Sequence, residues 1–370
     1  MKLVPTHHTN TPDRQTKNPR RRLWFAGLFS VILLLSSGCG TASIVKETSI
    51  PSAETVTSPT PLVTDSSGPA TATAPSPAPL VTDTSRPATE TAPPPATRAG
   101  VVQLAWPAVG QAAVGSVEDG LLARSSDNEA LRPTASMAKV ITALAIMEKQ
   151  PFELGQEGQT YTIMEQDIES MRADIAQDGS TQPLLIGMEL TQYQALQRML
   201  IASDNTMADI LAERIFGSKA AYVSYAQDML KRMGLRKTVV ADASGFSPDT
   251  ASTPSELVAL GIAALKNSVI AQIVAQPQAQ LPVTGLINNT NQLLGSDGVI
   301  GIKTGTTAAA GYCLLFAARY AAADGQKVTI VAVIMGDTDA PSLFSDSLKL
   351  LASARQGLGL AGAQPAGTVV

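Results

Sequence analysis

ThrAlaSerMetAlaLysValIleThrAlaLeuAlaIleMetGlu, running from Thr134 to Glu148, contains neither Gly nor Pro, and its apolar residues fall almost all the way round a helical wheel. A helix apolar on every side is normally buried in a domain core. Ser136 and Lys139 are three residues apart, so they share one face of that helix, one turn apart. Ser136 lies near the N-terminal end, where unpaired N–H groups and the helix dipole favour negative charge. A serine hydroxyl needs a base to become a nucleophile, and a neighbouring lysine is one known solution. Ser136-Met137-Ala138-Lys139 therefore predicts an acyl-transfer site at the start of a core helix. Taken alone, it equally suits an N-terminal serine followed by a snorkelling lysine.

On either side of this helix the chain has a simple order. Strand-like pieces (Val101 to Ala105, Ala112 to Val117, Leu121 to Arg124) are separated by turn signals such as Glu118-Asp119-Gly120. From Pro151 to Gln280 the pattern is mostly helical. Thr191 with Gln194, and Thr253 with Glu256 and Pro254 at the first helical position, read as capping boxes. Strands return at Val299 to Gly305, Gly311 to Tyr320 and Lys327 to Met335, and a helix over Ser342 to Ala354 closes the domain. The expected fold is α+β: one antiparallel sheet made from both ends, flanked by helices, with an inserted helical lobe and a ligand cleft between the two parts.

Residues 1–100 have a different character. Residues 1–22 are polar and basic, ending in Arg20-Arg21-Arg22, and Leu23 to Ser37 is apolar and uncharged. A basic flank, a short apolar run and then small residues fit an export signal or an uncleaved anchor over 1–40. SerSerGlyCys (Ser36 to Cys39) resembles a bacterial lipoprotein processing box with Cys39 as the lipidated residue, although Ser36 stands where a large aliphatic residue is usual. Residues 41–99 are rich in Thr, Pro, Ser and Ala, and ProLeuValThrAsp begins at Pro61 and again at Pro79. Such a segment is expected to be an extended tether that holds the folded domain, 100–360, outside a membrane.

The net charge of -4 is spread unevenly, because the basic leader leaves the remaining body more acidic than that total. An acidic body argues against nucleic acid as a partner. The two histidines, His7 and His8, both lie in the leader, which removes a Ser-His-Asp triad, a Cys-His dyad and an ordinary zinc site from the folded part. The two cysteines, Cys39 and Cys313, make no disulfide framework.

Two further motifs complete the pattern. Ser203-Asp204-Asn205 falls between two helical stretches, and Lys303-Thr304-Gly305-Thr306 falls at the end of an apolar strand. Each is weak alone. Ser-x-x-Lys at a helix start, Ser-Asp-Asn in an inter-helix loop and Lys-Thr-Gly on a strand, in that order, form the three-part signature of active-site serine penicillin-recognising enzymes. Over residues 101–355 the chain resembles the serine-type D-alanyl-D-alanine carboxypeptidases among the low-molecular-mass penicillin-binding proteins. The text carrying the resemblance is ArgProThrAlaSerMetAlaLysValIleThrAlaLeu (Arg132 to Leu144), MetLeuIleAlaSerAspAsnThrMetAla (Met199 to Ala208), and AsnGlnLeuLeuGlySerAspGlyValIleGlyIleLysThrGly (Asn291 to Gly305) with AlaAlaGlyTyrCysLeu (Ala309 to Leu314). Many of these carboxypeptidases have glycine at the centre of the middle motif, where this chain has Asp204.

The resemblance implies a β-lactamase/transpeptidase-like fold and a set of roles. Ser136 attacks the carbonyl of a terminal D-Ala-D-Ala bond in a peptidoglycan stem peptide, and Lys139, made neutral by the helix end and Lys303, takes its proton. Ser203 relays a proton to the leaving amine, and Asn205 holds the substrate amide and Lys139. Lys303 and Thr304 meet the terminal carboxylate beside Gly305, while the N–H groups of Ser136 and Thr306 form an oxyanion hole. No metal or organic cofactor is required, β-lactams are expected inhibitors, and the expected location is the outer side of a bacterial membrane. A class A β-lactamase shares all three motifs but needs a deacylating glutamate in a Glu-x-x-Leu-Asn stretch, and the chain instead reads AlaAspAlaSerGlyPheSerProAspThr (Ala241 to Thr250). An endopeptidase, a transpeptidase and a non-catalytic wall-binding or β-lactam-sensing module keep the same motifs.

Overall fold

The computed structural model describes residues 103–362. The expectations for the leader over 1–40, including Cys39, and for the linker over 41–99 lie outside the described residues. Within them, five antiparallel strands form the central sheet: β1 (Gln111–Ser116), β2 (Gly120–Arg124), β3 (Val299–Thr307), β4 (Gly311–Ala321) and β5 (Lys327–Asp337). Their order is β2-β1-β5-β4-β3, so the two ends of the chain share one sheet and β3 is an edge.

The central strands are apolar along nearly their whole length because both faces are covered. On β4, Cys313, Leu315 and Ala317 face one core, while Leu314, Phe316 and Ala318 face the other. On β5, Val331 and Val333 alternate in the same way with Ile330, Ala332 and Ile334. The first core is shared with α1 (Ala138–Lys149), the lobe helices α2 (Glu165–Ala176), α3 (Gln192–Ile201), α4 (Asn205–Phe216) and α5 (Lys219–Arg232), and then α6 (Pro254–Lys266) and α7 (Ser268–Val274). The second core lies under α8 (Ala340–Gly357). Every residue of α1 from Ala138 to Met147 is buried except Leu144, which explains a helix with no polar face. Gly261 lets α6 approach the sheet closely, since a Cβ there would meet Val331, Ile302 and Leu315 side-chain atoms at 2.8–3.1 Å.

Two local expectations change. No strand covers Gln103 to Ala105, the described part of the first expected strand. The Ala105 N–H donates to Ser353 Oγ (2.9 Å) instead, docking this segment on α8 rather than on a sheet edge. The box at Thr191 forms in both directions, but that at Thr253 forms only by half. Thr253 Oγ1 accepts from the Glu256 N–H, whereas the Glu256 carboxylate accepts from the N–H groups of Lys237 and Thr238. Glu256 thus ties the helix to the preceding loop in place of its own cap.

Candidate active site

Ser136 sits in a single 3₁₀ turn, Ala135–Met137, that runs directly into α1. The turn begins with Ala135 at φ +46, a conformation that costs an L-residue energy and persists only where its surroundings enforce it. Those surroundings come from two directions. Thr250 O accepts from both the N–H and the Oγ1 of Thr134, at 3.0 and 3.1 Å. Gly245, at φ +75, presses so closely that a Cβ would lie 1.9 Å from Ala135 O. On the other side Gly305 of β3 abuts the turn, and a Cβ there would fall 3.0 Å from Ser136 N and 2.9 Å from Thr134 O. The glycine of the Lys-Thr-Gly motif is therefore required by the approach of β3 to the serine turn.

Lys139 is fully buried, and its Nζ lies 2.9 Å from Ser136 Oγ, 2.6 Å from Asn205 Oδ1 and 2.9 Å from the backbone O of Ser244. Burial pushes its pKa down from the usual 10.5 to about 8, while the carboxylates of Asp242, Asp204, Asp209 and Asp174 pull the other way. Desolvation is the largest cause of the lowering, one that the motif spacing did not suggest. Burial, with repulsion from the Lys139 amine, likewise holds the Lys303 pKa well below the ordinary value. A neutral Lys139 has two N–H donors and one lone pair. With Asn205 Oδ1 and Ser244 O as acceptors for the two N–H groups, the lone pair is left facing the Ser136 hydroxyl, the arrangement a general base needs.

The middle motif is held from behind. Asp204 caps α4 through the Met207 N–H (3.2 Å) and pairs with Arg198, both side chains being wholly inaccessible. Arg198 also donates to Gln182 O (2.9 Å), to Pro183 O (3.2 Å) and to Thr284 Oγ1. One guanidinium thereby ties the motif loop to two further segments, at Gln182–Pro183 and at Thr284. The Asn205 N–H donates to Ser180 O at 2.8 Å. Ser203, at φ +61, is the non-glycine residue that turns the chain out of α3 so that it lines the cleft while Asn205 points at Lys139.

On β3, Lys303 is buried and donates to Thr304 O (3.0 Å), and Thr304 Oγ1 lies 2.6 Å from Thr290 Oγ1. A cavity of about 260 Å³ joins Ser136, Ser180 and Ser203 to Thr304, Gly305 and Thr306, with Thr290 and Gln292 beside them and Tyr312, Leu343 and Phe344 forming an apolar end. Five of the eight residues expected from the motifs line this cleft, Ser136, Ser203, Thr304, Gly305 and Thr306, while Lys139 bonds both Ser136 and Asn205, and the buried Lys303 bonds Thr304 O. Sequence reading missed Ser244, Ser180, Thr290 and Arg198. Ser244 acts through a carbonyl, which every residue possesses, so no side-chain pattern could have marked it.

The lysine environment sets a pH dependence. Because Lys139 must be neutral to take a proton and its pKa is about 8, the rate of Ser136 acylation by a penicillin should rise about tenfold per pH unit up to pH 8 and level off above it. Stopped-flow acylation rates between pH 5.5 and 9.5 check this; a flat profile means that Lys139 is not the base.

Known proteins share this architecture. A D-alanyl-D-alanine carboxypeptidase of Streptomyces sp. strain K15 is 29% identical over 237 residues, covering 60% of this chain and 78% of the relative. The crystal structure of the Streptomyces K15 DD-transpeptidase matches with a TM-score of 0.59 at 23% identity, covering 68% of this chain and 99% of that one. A D-alanyl-D-alanine endopeptidase of Escherichia coli K12 is 25% identical over 224 residues, and the match spans 56% of this chain and 66% of the relative. A cefotaxime-bound penicillin-binding protein D2 from Listeria monocytogenes has the same fold at a TM-score of 0.54 and 24% identity, covering 68% of this chain and 97% of that one. The D-alanyl-D-alanine carboxypeptidase family profile matches residues 114–339, more than half of the sequence, and the chain belongs to that family.

Proposed function

We propose that the protein is a serine D-Ala-D-Ala carboxypeptidase that trims peptidoglycan stem peptides through an acyl-enzyme on Ser136. The observation that carries this reading is the 2.9 Å contact between Ser136 Oγ and a buried Lys139 whose other two acceptors are fixed. Ser136 Oγ attacks the carbonyl between the two D-Ala residues while its proton passes to Lys139 Nζ. The tetrahedral oxyanion collapses, the C–N bond breaks, and the amine of the terminal D-Ala leaves with a proton delivered through Ser203. Water then attacks the ester, regenerating Ser136 and releasing the shortened peptide. Lys303 and the hydroxyl of Thr304 receive the terminal carboxylate, the N–H groups of Ser136 and Thr306 hold the oxyanion, and Asn205 orients both substrate amide and Lys139. Release of D-alanine from a diacyl-D-Ala-D-Ala peptide by residues 100–370 should be abolished by Ser136→Ala, together with labelling by a fluorescent penicillin. Hydrolysis of cross-linked dimeric peptides without D-alanine release supports endopeptidase action instead, the activity named for the Escherichia coli relative.

The β-lactamase reading is disfavoured by the cleft itself. None of the residues lining the cavity is an aspartate or glutamate, so no lining side chain is suited to activate water against a penicilloyl ester. A peptide's D-Ala departs and admits water, whereas the amine of an opened penicillin stays tethered and blocks it. Each missing 1.4 kcal/mol or so of barrier lowering slows deacylation about tenfold. Intact mass after a stoichiometric dose of benzylpenicillin should show an adduct that outlasts the peptide acyl-enzyme; clearance within seconds with catalytic consumption of penicillin overturns the carboxypeptidase reading.

We also propose that the N-terminus tethers the domain on the outer side of the membrane of a bacterial cell, from the basic flank, the apolar Leu23 to Ser37 run and the Pro/Thr-rich stretch that follows. In fractionated cells the full chain should sediment with membranes, and Cys39→Ala should block processing if Cys39 is lipidated. A mainly soluble cytoplasmic pool refutes the tether.

A further inference from the structure

The loop Ala241 to Thr250 meets the serine helix at four successive points. Ala243 O accepts from Thr142 Oγ1 (2.6 Å), Ser244 O from Lys139 Nζ (2.9 Å), and Thr250 O from Thr134 N (3.0 Å), while Gly245 packs on Ala135 and Ala138. The loop has no regular secondary structure to hold it, and its shape depends on one carboxylate. Asp242 Oδ2 accepts from Ser244 Oγ (2.8 Å), Phe246 N (2.8 Å) and Ser247 N (3.3 Å), and Oδ1 accepts from Thr250 Oγ1. Thr250 Oγ1 in turn accepts from the N–H groups of Ala241 and Asp242, at 3.0 and 3.1 Å, closing the ring of bonds. Asp242 does not line the cavity, and both its oxygens are committed.

We infer that Asp242 is a positioning residue: its carboxylate folds the loop so that the Ser244 carbonyl lies on Lys139 and Gly245 and Thr250 brace the turn that carries Ser136. The inference rests on reading Ser136 and Lys139 as nucleophile and base. Asp242 has a second effect through charge, because it heads the groups that oppose the lowering of the Lys139 pKa. The other charged groups facing Lys139 are Asp204 and Asp209 from the start of α4, Asp174 from α2 and Lys303 from β3. The two effects have separable signatures. Losing the ring of bonds loosens the Ser244 contact and lowers the acylation rate at every pH. Losing the negative charge lowers the Lys139 pKa further, which moves the acid limb of the profile to lower pH.

Asp242→Asn removes the charge and keeps one acceptor for the loop amides; Asp242→Ala removes both. Penicillin acylation against pH, the ¹³Cε shift of Lys139 against pH, and thermal unfolding are measured for the wild type and both variants. The Asn variant should lose less than tenfold in plateau rate while its acid limb and Lys139 titration both move down by about half a pH unit or more. The Ala variant, if folded, should lose tenfold or more; if it does not fold, the Asn variant decides. An Asn variant whose acid limb and Lys139 titration coincide with wild type overturns the inference, as does a folded Ala variant acylated within twofold of wild type. If the wild type forms no penicillin adduct, the nucleophile reading itself fails. The Lys139 titration still decides the contribution of Asp242.

Discussion

A primary amine buried to zero exposure at the end of an apolar helix is the constraint on which the rest of this site depends. Removing an ammonium from water is expensive, and the group responds by surrendering its proton more readily. That readiness is useful only if the surroundings neither collapse onto the amine nor neutralise the effect. Four aspartates within its electrostatic reach keep the pKa near 8 rather than lower. Burial and charge are therefore set against each other, and the balance leaves Lys139 able to hold or release a proton near neutral pH.

The same amine explains how three distant segments are organised. Its bonds reach Ser136 in the turn that leads into its own helix, Asn205 at the start of α4 and Ser244 in the Ala241–Thr250 loop. Behind these contacts stand groups that never face the cleft. Arg198 and Asp204 form a wholly buried ion pair whose remaining donors are spent on backbone and hydroxyl oxygens, so neither charge is stranded. Pairs of this kind are weak sources of stability but define a single geometry, and here they define where the Ser-Asp-Asn loop sits.

Much of this was legible in the sequence because the signals were local or periodic. A fifteen-residue run without a polar face predicts a buried helix, and α1 is one. The strands of the last third announced themselves as largely apolar runs, and their apolar character on both faces follows from cores above and below the sheet. The spacing of Ser136 and Lys139 gave their contact directly, but the cause of the lysine's shifted pKa did not follow from spacing, since it depends on how deeply the helix is buried. Contributions made through backbone groups were illegible. Ser244 O, Ser180 O and the close approach of Gly245 to Ala135 depend on where the chain passes, and a carbonyl leaves no mark on composition. The Ala241–Thr250 stretch was informative in the sequence only for lacking a glutamate.

Lys303 carries a different consequence. Burial and the neighbouring amine both penalise its charge, so its pKa lies well below the ordinary value. An anionic group placed beside this amine would offset that penalty and raise its pKa, so anion binding there would be linked to proton uptake. The enthalpy of association will then depend on the ionisation heat of the buffer that supplies the proton. A ligand ending in an amide or ester brings no charge to offset that penalty. Under the proposed carboxypeptidase reading, discrimination for a free C-terminus would draw on this proton linkage as well as on hydrogen bonds.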